Sequence, residues 1–146
     1  MDGAKIILPN NLVLEQFHVY LLQGKQVSIP VKGNSMLPFL RNGDQVLIKP
    51  FEADALRKGM ILLASVQGNM VLHRLVKFSA ERVLLAGDAN LAQHEDVSIE
   101  DVIGCATTVW RGAQERKLDK WQQRYLGQLW YWIRPLRRVA KKLYRY

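Results

Sequence analysis

The sequence predicts a mostly β fold: an antiparallel, coiled-sheet domain over residues 1–112 with a short N-terminal helix, followed by a basic amphipathic helical tail over 113–146. Three observations carry this reading. From Gln26 to about Cys105, short β-rich runs alternate with turn signals. Val66-Gln67-Gly68-Asn69-Met70 reads as a tight hairpin turn between two apolar runs. Beyond Ala113, apolar residues recur every three or four positions, the period of a helix.

Taken in chain order, Asn11 to Gln23 places Leu14, Phe17 and Leu21 so that one face is apolar over three turns, and Gly24 supplies the stop. The β-rich runs are QVSIPVK, DQVLIKP after Asn42-Gly43-Asp44, MILLASV, NMVLHRLVKF after Gln67-Gly68, RVLLAG and DVIGCATTVW. Runs of this length and spacing describe a compact antiparallel domain. The hairpin pairs MILLASV with MVLHRLV, which puts His73 on a strand with Val71 and Leu75 on its own face and Leu72, Arg74 and Val76 on the other. In the tail, Leu118, Trp121, Tyr125, Leu129, Trp132, Leu136, Val139 and Leu143 form the apolar row, Lys and Arg hold most other positions, and Pro135 breaks or restarts the helix.

Composition narrows the class. A chain of 146 residues, 49% hydrophobic, supports one core. The single Cys105 forms no internal disulfide, and no Cys/His cluster has zinc-ligand spacing, so neither metal nor other cofactor is expected. No secretory leader and no apolar run long enough to span a bilayer is evident, which makes a cytoplasmic location the expectation, with any membrane contact peripheral. The formal charge of +8 is unevenly spread: residues 1–110 carry 10 Lys/Arg and 11 Asp/Glu, residues 111–146 carry 11 and two. The basicity belongs to the tail, so nucleic-acid binding by the sheet domain is not expected.

The chemistry lies in Lys32-Gly33-Asn34-Ser35-Met36-Leu37-Pro38-Phe39-Leu40, followed by Gly43-Asp44-Gln45-Val46. A serine in such a turn is ordinarily only a turn residue. Two further blocks change this: Lys58-Gly59-Met60-Ile61-Leu62-Leu63 leading to Val71-Leu72-His73-Arg74-Leu75, and Ala86-Gly87-Asp88-Ala89-Asn90 leading to Asp101-Val102-Ile103-Gly104. In this order the blocks resemble the serine-peptidase clan of type I signal peptidases and LexA-type repressors, whose nucleophile sits in a Gly-x-Ser-Met-x-Pro turn before Gly-Asp-x-Val. The resemblance implies the clan's coiled β-sheet fold, Ser35 as nucleophile and His73 as general base. LexA-type and bacterial members carry lysine at the latter place, archaeal and endoplasmic-reticulum-type signal peptidases histidine.

The residue types suit the chemistry. A serine hydroxyl needs an adjacent base to take its proton and return it to the leaving amine. Histidine, with an ordinary pKa of about 6.5, does so without the desolvating pocket a lysine needs. The clan's Gly-Asp block makes Asp88 the expected carboxylate on the imidazole. Glu95 and Asp96 lie where relatives carry a second acidic residue. The backbone amides of Ser35 and Asn34 are the expected oxyanion donors, since the hydroxyl that some signal peptidases add two residues before the nucleophile is replaced by Gly33. Met36 and Pro38 are the expected substrate contacts, while His18 and His94 read as ordinary surface or helix residues.

The expected function is that of a serine endopeptidase that removes a leader, signal or propeptide from a peptide or protein substrate through an acyl-enzyme. Two alternatives stand beside it. One is a catalytically weak or idle module of the same fold that binds an extended peptide. The other is a LexA-type self-cleaving regulator, disfavoured because the 25 residues ahead of Gln26 do not accommodate a helix-turn-helix domain. The tail, with Trp121, Trp130 and Trp132 among its cations, is expected to meet an anionic membrane surface; the competing expectation is a helix packed on the domain with its basic face in solvent.

Overall fold

A computed structural model describes residue 16 and residues 19–144. Most of the helix expected over 11–23, and His18 with it, lies outside the described residues, while Gln16 and residues 19–22 are helical and Leu21 reaches the core.

Eight strands form one antiparallel sheet: β1 (Val27–Pro30), β2 (Gln45–Pro50), β3 (Ile61–Val66), β4 (Asn69–Phe78), β5 (Arg82–Ala86), β6 (Glu95–Ser98), β7 (Val102–Arg111) and β8 (Gln114–Lys117). Their order is β1-β2-β7-β3-β4-β5-β6, with β8 on the far half of β7. The β3–β4 connection is the expected two-residue hairpin, with Gln67 and Gly68 both at positive φ, the geometry that matches the twist of the flanking strands.

Register shifts at Leu47/Ile48, Leu63/Ala64 and Leu75/Lys77 bend the sheet, so its central strands are covered on both faces. Alternate residues of β3 therefore enter two separate cores. Ile61 and Leu63 join Val46, Ile48, Met36 and Leu40 in one, and Leu62 and Ala64 join Leu75, Leu85 and Cys105 in the other. Full burial at Leu40, Ile48, Leu62 and Leu85 is worth about 1.5–3 kcal/mol for each side chain.

The helical tail expected from Ala113 starts later. Gly112, at positive φ, turns the chain back into β8, and Leu118 is buried in the first core. Leu118 fits the helical spacing of the following residues by coincidence, and the polar run before it disguises an edge strand. Two helices follow, α1 (Trp121–Trp132) and α2 (Arg134–Leu143), broken at Ile133 ahead of Pro135. None of the described helices is long and apolar enough to cross a membrane.

Both helices rest on the sheet domain, in the orientation opposite to that of an ordinary surface helix. Glycines allow the close approach: a Cβ on Gly59 would lie 2.5 Å from the Arg124 carbonyl oxygen, and one on Gly127 would overlap the Arg74 guanidinium. Arg134 is buried, Trp130 points inward, and the expected apolar row from Trp121 to Leu143 is exposed.

Candidate active site

Ser35 lies in the loop between β1 and β2, which is tied down at both ends. The Val31 N–H donates to the Asp44 carbonyl, the Gly43 N–H to the Val31 carbonyl, and the Gly33 N–H to Asn42 Oδ1 at 2.8 Å. Met36 and Leu40, one helical turn apart, anchor the loop in the first core. Met36 is therefore a packing residue with its side chain turned away from solvent, and of the two expected substrate contacts only Pro38 is exposed. Asp44 closes the loop by accepting from the Arg41 N–H and from both arms of Arg111, whose guanidinium holds the carboxyl below its ordinary range.

His73, on β4, brings Nε2 to 3.1 Å from Ser35 Oγ. Its other nitrogen, Nδ1, meets the Glu95 carboxylate in a short contact. Strand registers explain the meeting. Leu75 pairs with Leu85 on β5, and Leu85 pairs with Glu95 on β6, so Glu95 sits two strands away on the face that His73 shares. The residue just past β5, next to His73, is Gly87. A Cβ there would stand 2.6 Å from the Ser35 carbonyl oxygen and 3.1 Å from His73 Nε2, so the absent side chain is what lets the imidazole and the Ser35 loop approach.

Asp88, the carboxylate expected on the imidazole, is engaged elsewhere. Strand alternation carried past Ala86 sends it to the opposite face, where both its oxygens accept from Arg74 at 2.7 Å. Arg74 also donates to the Gly59 carbonyl and stacks on the Phe39 ring at 4.9 Å. Burial pushes the Asp88 carboxyl up from its ordinary value, and the Arg74 hydrogen bonds pull it down. Asp96 is likewise away from the imidazole, in an exposed pair with Arg82.

The segment from Gly87 to Glu95 is thus the third wall of the site, and helices α1 and α2 hold it. The Ala89 N–H donates to the Ser35 carbonyl at 2.9 Å. Trp130 Nε1 and Arg137 donate to the Asp88 carbonyl, Arg134 to the carbonyls of Asn90 and Gln93, and Arg138 to that of Leu91. His94 accepts from Arg134 and meets the Tyr131 hydroxyl at Nε2, and burial keeps its pKa below the ordinary value. His94 and the tail arginines are the site residues that spacing alone did not single out. For the arginines the visible signal was their crowding after Asp119, where no acidic residue follows; His94, beside Glu95 and Asp96, carried no such signal.

The arrangement presents a hydroxyl, an imidazole and a carboxylate in hydrogen-bonded series, the layout of an activated serine nucleophile. No curated protein matches the chain. A family model described as Peptidase S24-like matches residues 5–107, a span that holds Ser35, His73 and Glu95 and ends ahead of β8 and the two helices. With well over half of its length inside that match, the chain belongs to the Peptidase S24-like family.

Proposed function

We propose that the chain is a serine endopeptidase that cleaves a leader, signal or propeptide from a peptide substrate by way of an acyl-enzyme, with Ser35 as nucleophile, His73 as general base and Glu95 as the carboxylate that orients it. The observation that carries this reading is the 3.1 Å approach of Ser35 Oγ to His73 Nε2 with Glu95 on Nδ1. With Glu95 accepting from Nδ1–H, the Nε2 lone pair faces the hydroxyl. His73 removes the Ser35 proton as Oγ adds to the scissile carbonyl, then delivers that proton to the leaving amine as the C–N bond breaks. Water, deprotonated by the same imidazole, splits the ester and restores the hydroxyl.

The backbone amides of Ser35 and Asn34 are the proposed donors to the oxyanion. The Gly33 amide is already committed to Asn42, and its φ of 82° is a conformation in which a serine would be strained. Missing the extra hydroxyl, this site favours a second reading as a peptide-binding module of low turnover, which the absence of an acyl adduct would support.

The test is kinetic. Ser35→Ala and His73→Ala are each expected to lower kcat/KM by about 10³-fold or more, and the double variant by little beyond either one, because members of one catalytic unit are non-additive. Independent, multiplicative losses, or full activity in either single variant, would remove the dyad.

A further inference from the structure

Most of the apolar row of α1 and α2 is exposed to solvent, with Trp132 also bordering a cavity lined by Lys58, Arg74, Leu75 and Val76. The inner side of these helices is already occupied by Gly127 against Arg74, by Gln128 donating to the Lys58 carbonyl, and by Trp130 and Arg134 on the Gly87–Glu95 segment. On the outer side, Trp121, Tyr125, Trp132, Leu136, Val139 and Leu143 are exposed, Leu136 to 69% and Leu143 to 71%. Their spacing keeps one line across the break at Ile133, so two short helices display a single continuous strip.

We infer that this strip is a docking surface for an anionic lipid bilayer, on which the two helices lie in the plane of the interface. The reading rests on this surface alone and is independent of the peptidase chemistry. Three features select that occupant. The strip joins Leu and Val, which enter the acyl boundary, to Trp and Tyr, which are stable at headgroup depth. The two helices carry no acidic residue, whereas Lys120, just ahead of them, and Lys141 and Lys142 are exposed and match a negative surface. Finally, a second copy would bring a chain of the same +8 charge against this basic face, which opposes self-pairing.

The experiment is co-sedimentation of the full chain with vesicles of phosphatidylcholine containing phosphatidylglycerol, against vesicles of phosphatidylcholine alone, at low and high salt. The paired variants are Trp132→Glu with Leu136→Glu, and Lys141→Glu with Lys142→Glu. None of these four side chains makes a hydrogen bond to the sheet domain among the described residues, so thermal unfolding is expected to stay near that of the parent. The expected result is binding to the anionic vesicles that weakens with salt, reduced tenfold or more by either pair, with a blue shift of tryptophan emission on binding that the Trp132 pair diminishes. Failure to sediment with anionic vesicles near physiological salt overturns the inference, as does binding that both pairs leave unchanged. A concentration-dependent dimer in sedimentation velocity without lipid, abolished by the Trp132 pair, would assign the strip to self-association and equally overturn it.

Discussion

Two neighbours on β4, His73 and Arg74, each meet a carboxylate from the same short segment, yet the two pairs differ in kind. His73 faces Ser35 and touches Glu95, whose side chain is 19% exposed at the rim of the site. Arg74 turns to the other face, where it and Asp88 are both nearly sealed from solvent beneath Phe39 and Gly127. The first pair contains the imidazole that, in the proposed reaction, takes and returns the Ser35 proton. The second joins one guanidinium to both oxygens of a buried carboxylate. One residue's difference in strand parity therefore separates a pair suited to chemistry from a pair that fastens β4, the Gly87–Glu95 segment and α1 to one another.

The widest separation between the pairs is expected in stability. Arg74→Met leaves the Asp88 carboxylate buried without its partner, a loss of about 3–5 kcal/mol on urea denaturation. Replacing both members, Arg74→Met with Asp88→Leu, is expected to recover most of that loss, since an apolar pair removes the stranded charge. Cys105 supplies an independent readout: it is buried, and its thiol is pushed up to about 11, so alkylation must await opening of the second core. Arg74→Met should speed that alkylation, and Glu95→Gln should leave it unchanged. Equal stability in Arg74→Met and the parent would remove the distinction.

A smaller effect is expected at the gap between the pairs. Gly87→Ala forces a methyl against the Ser35 carbonyl and toward His73 Nε2, so the Ser35 loop and the imidazole must part. Misplacement by a fraction of an ångström to one ångström is expected to lower kcat/KM by about 10–100-fold. Activity at the parent level would show that the Gly87 approach is unnecessary for the reaction.

The smallest concerns His94, where the helices grip the segment. Because its folded pKa is depressed, the neutral imidazole accepting from Arg134 adds stability above the unfolded value of about 6.5, and this is lost as pH falls through the lower folded value. Between pH 7 and 5 the parent is therefore expected to lose slightly more stability than His94→Gln, measured by thermal unfolding at each pH. Identical pH dependence would mean that protonation of His94 does not loosen the grip.

Much of this was legible in the chain. The hairpin turn at Gln67-Gly68 fixed the face of His73, and the Gly33-to-Val46 block marked out the Ser35 loop with its two anchoring core residues. Glu95 was harder to read because β6 is only four residues long with one buried apolar position, so neither its existence nor its register was available without β5 beside it. Asp88 was the natural choice by motif, and the alternation that turns it toward Arg74 continues through a turn, where sequence parity is no guide. The tail displayed its amphipathic period plainly, but which side faced the domain depended on Gly59 and Gly127, whose missing side chains leave room for the helix backbone and for Arg74.

The role of the two carboxylates is tested most directly by the rate at which a peptidyl fluorophosphonate forms an adduct on Ser35, followed by intact-mass spectrometry and peptide mapping in the parent, Glu95→Gln and Asp88→Asn, at a temperature where all three are folded. The parent is expected to label at Ser35, Glu95→Gln to label about 10²–10⁴-fold more slowly because its imidazole loses its fixed tautomer, and Asp88→Asn to label close to the parent rate. Labelling that slows as much in folded Asp88→Asn as in Glu95→Gln, or that proceeds at the parent rate in Glu95→Gln, would contradict the assignment of one pair to chemistry and the other to structure.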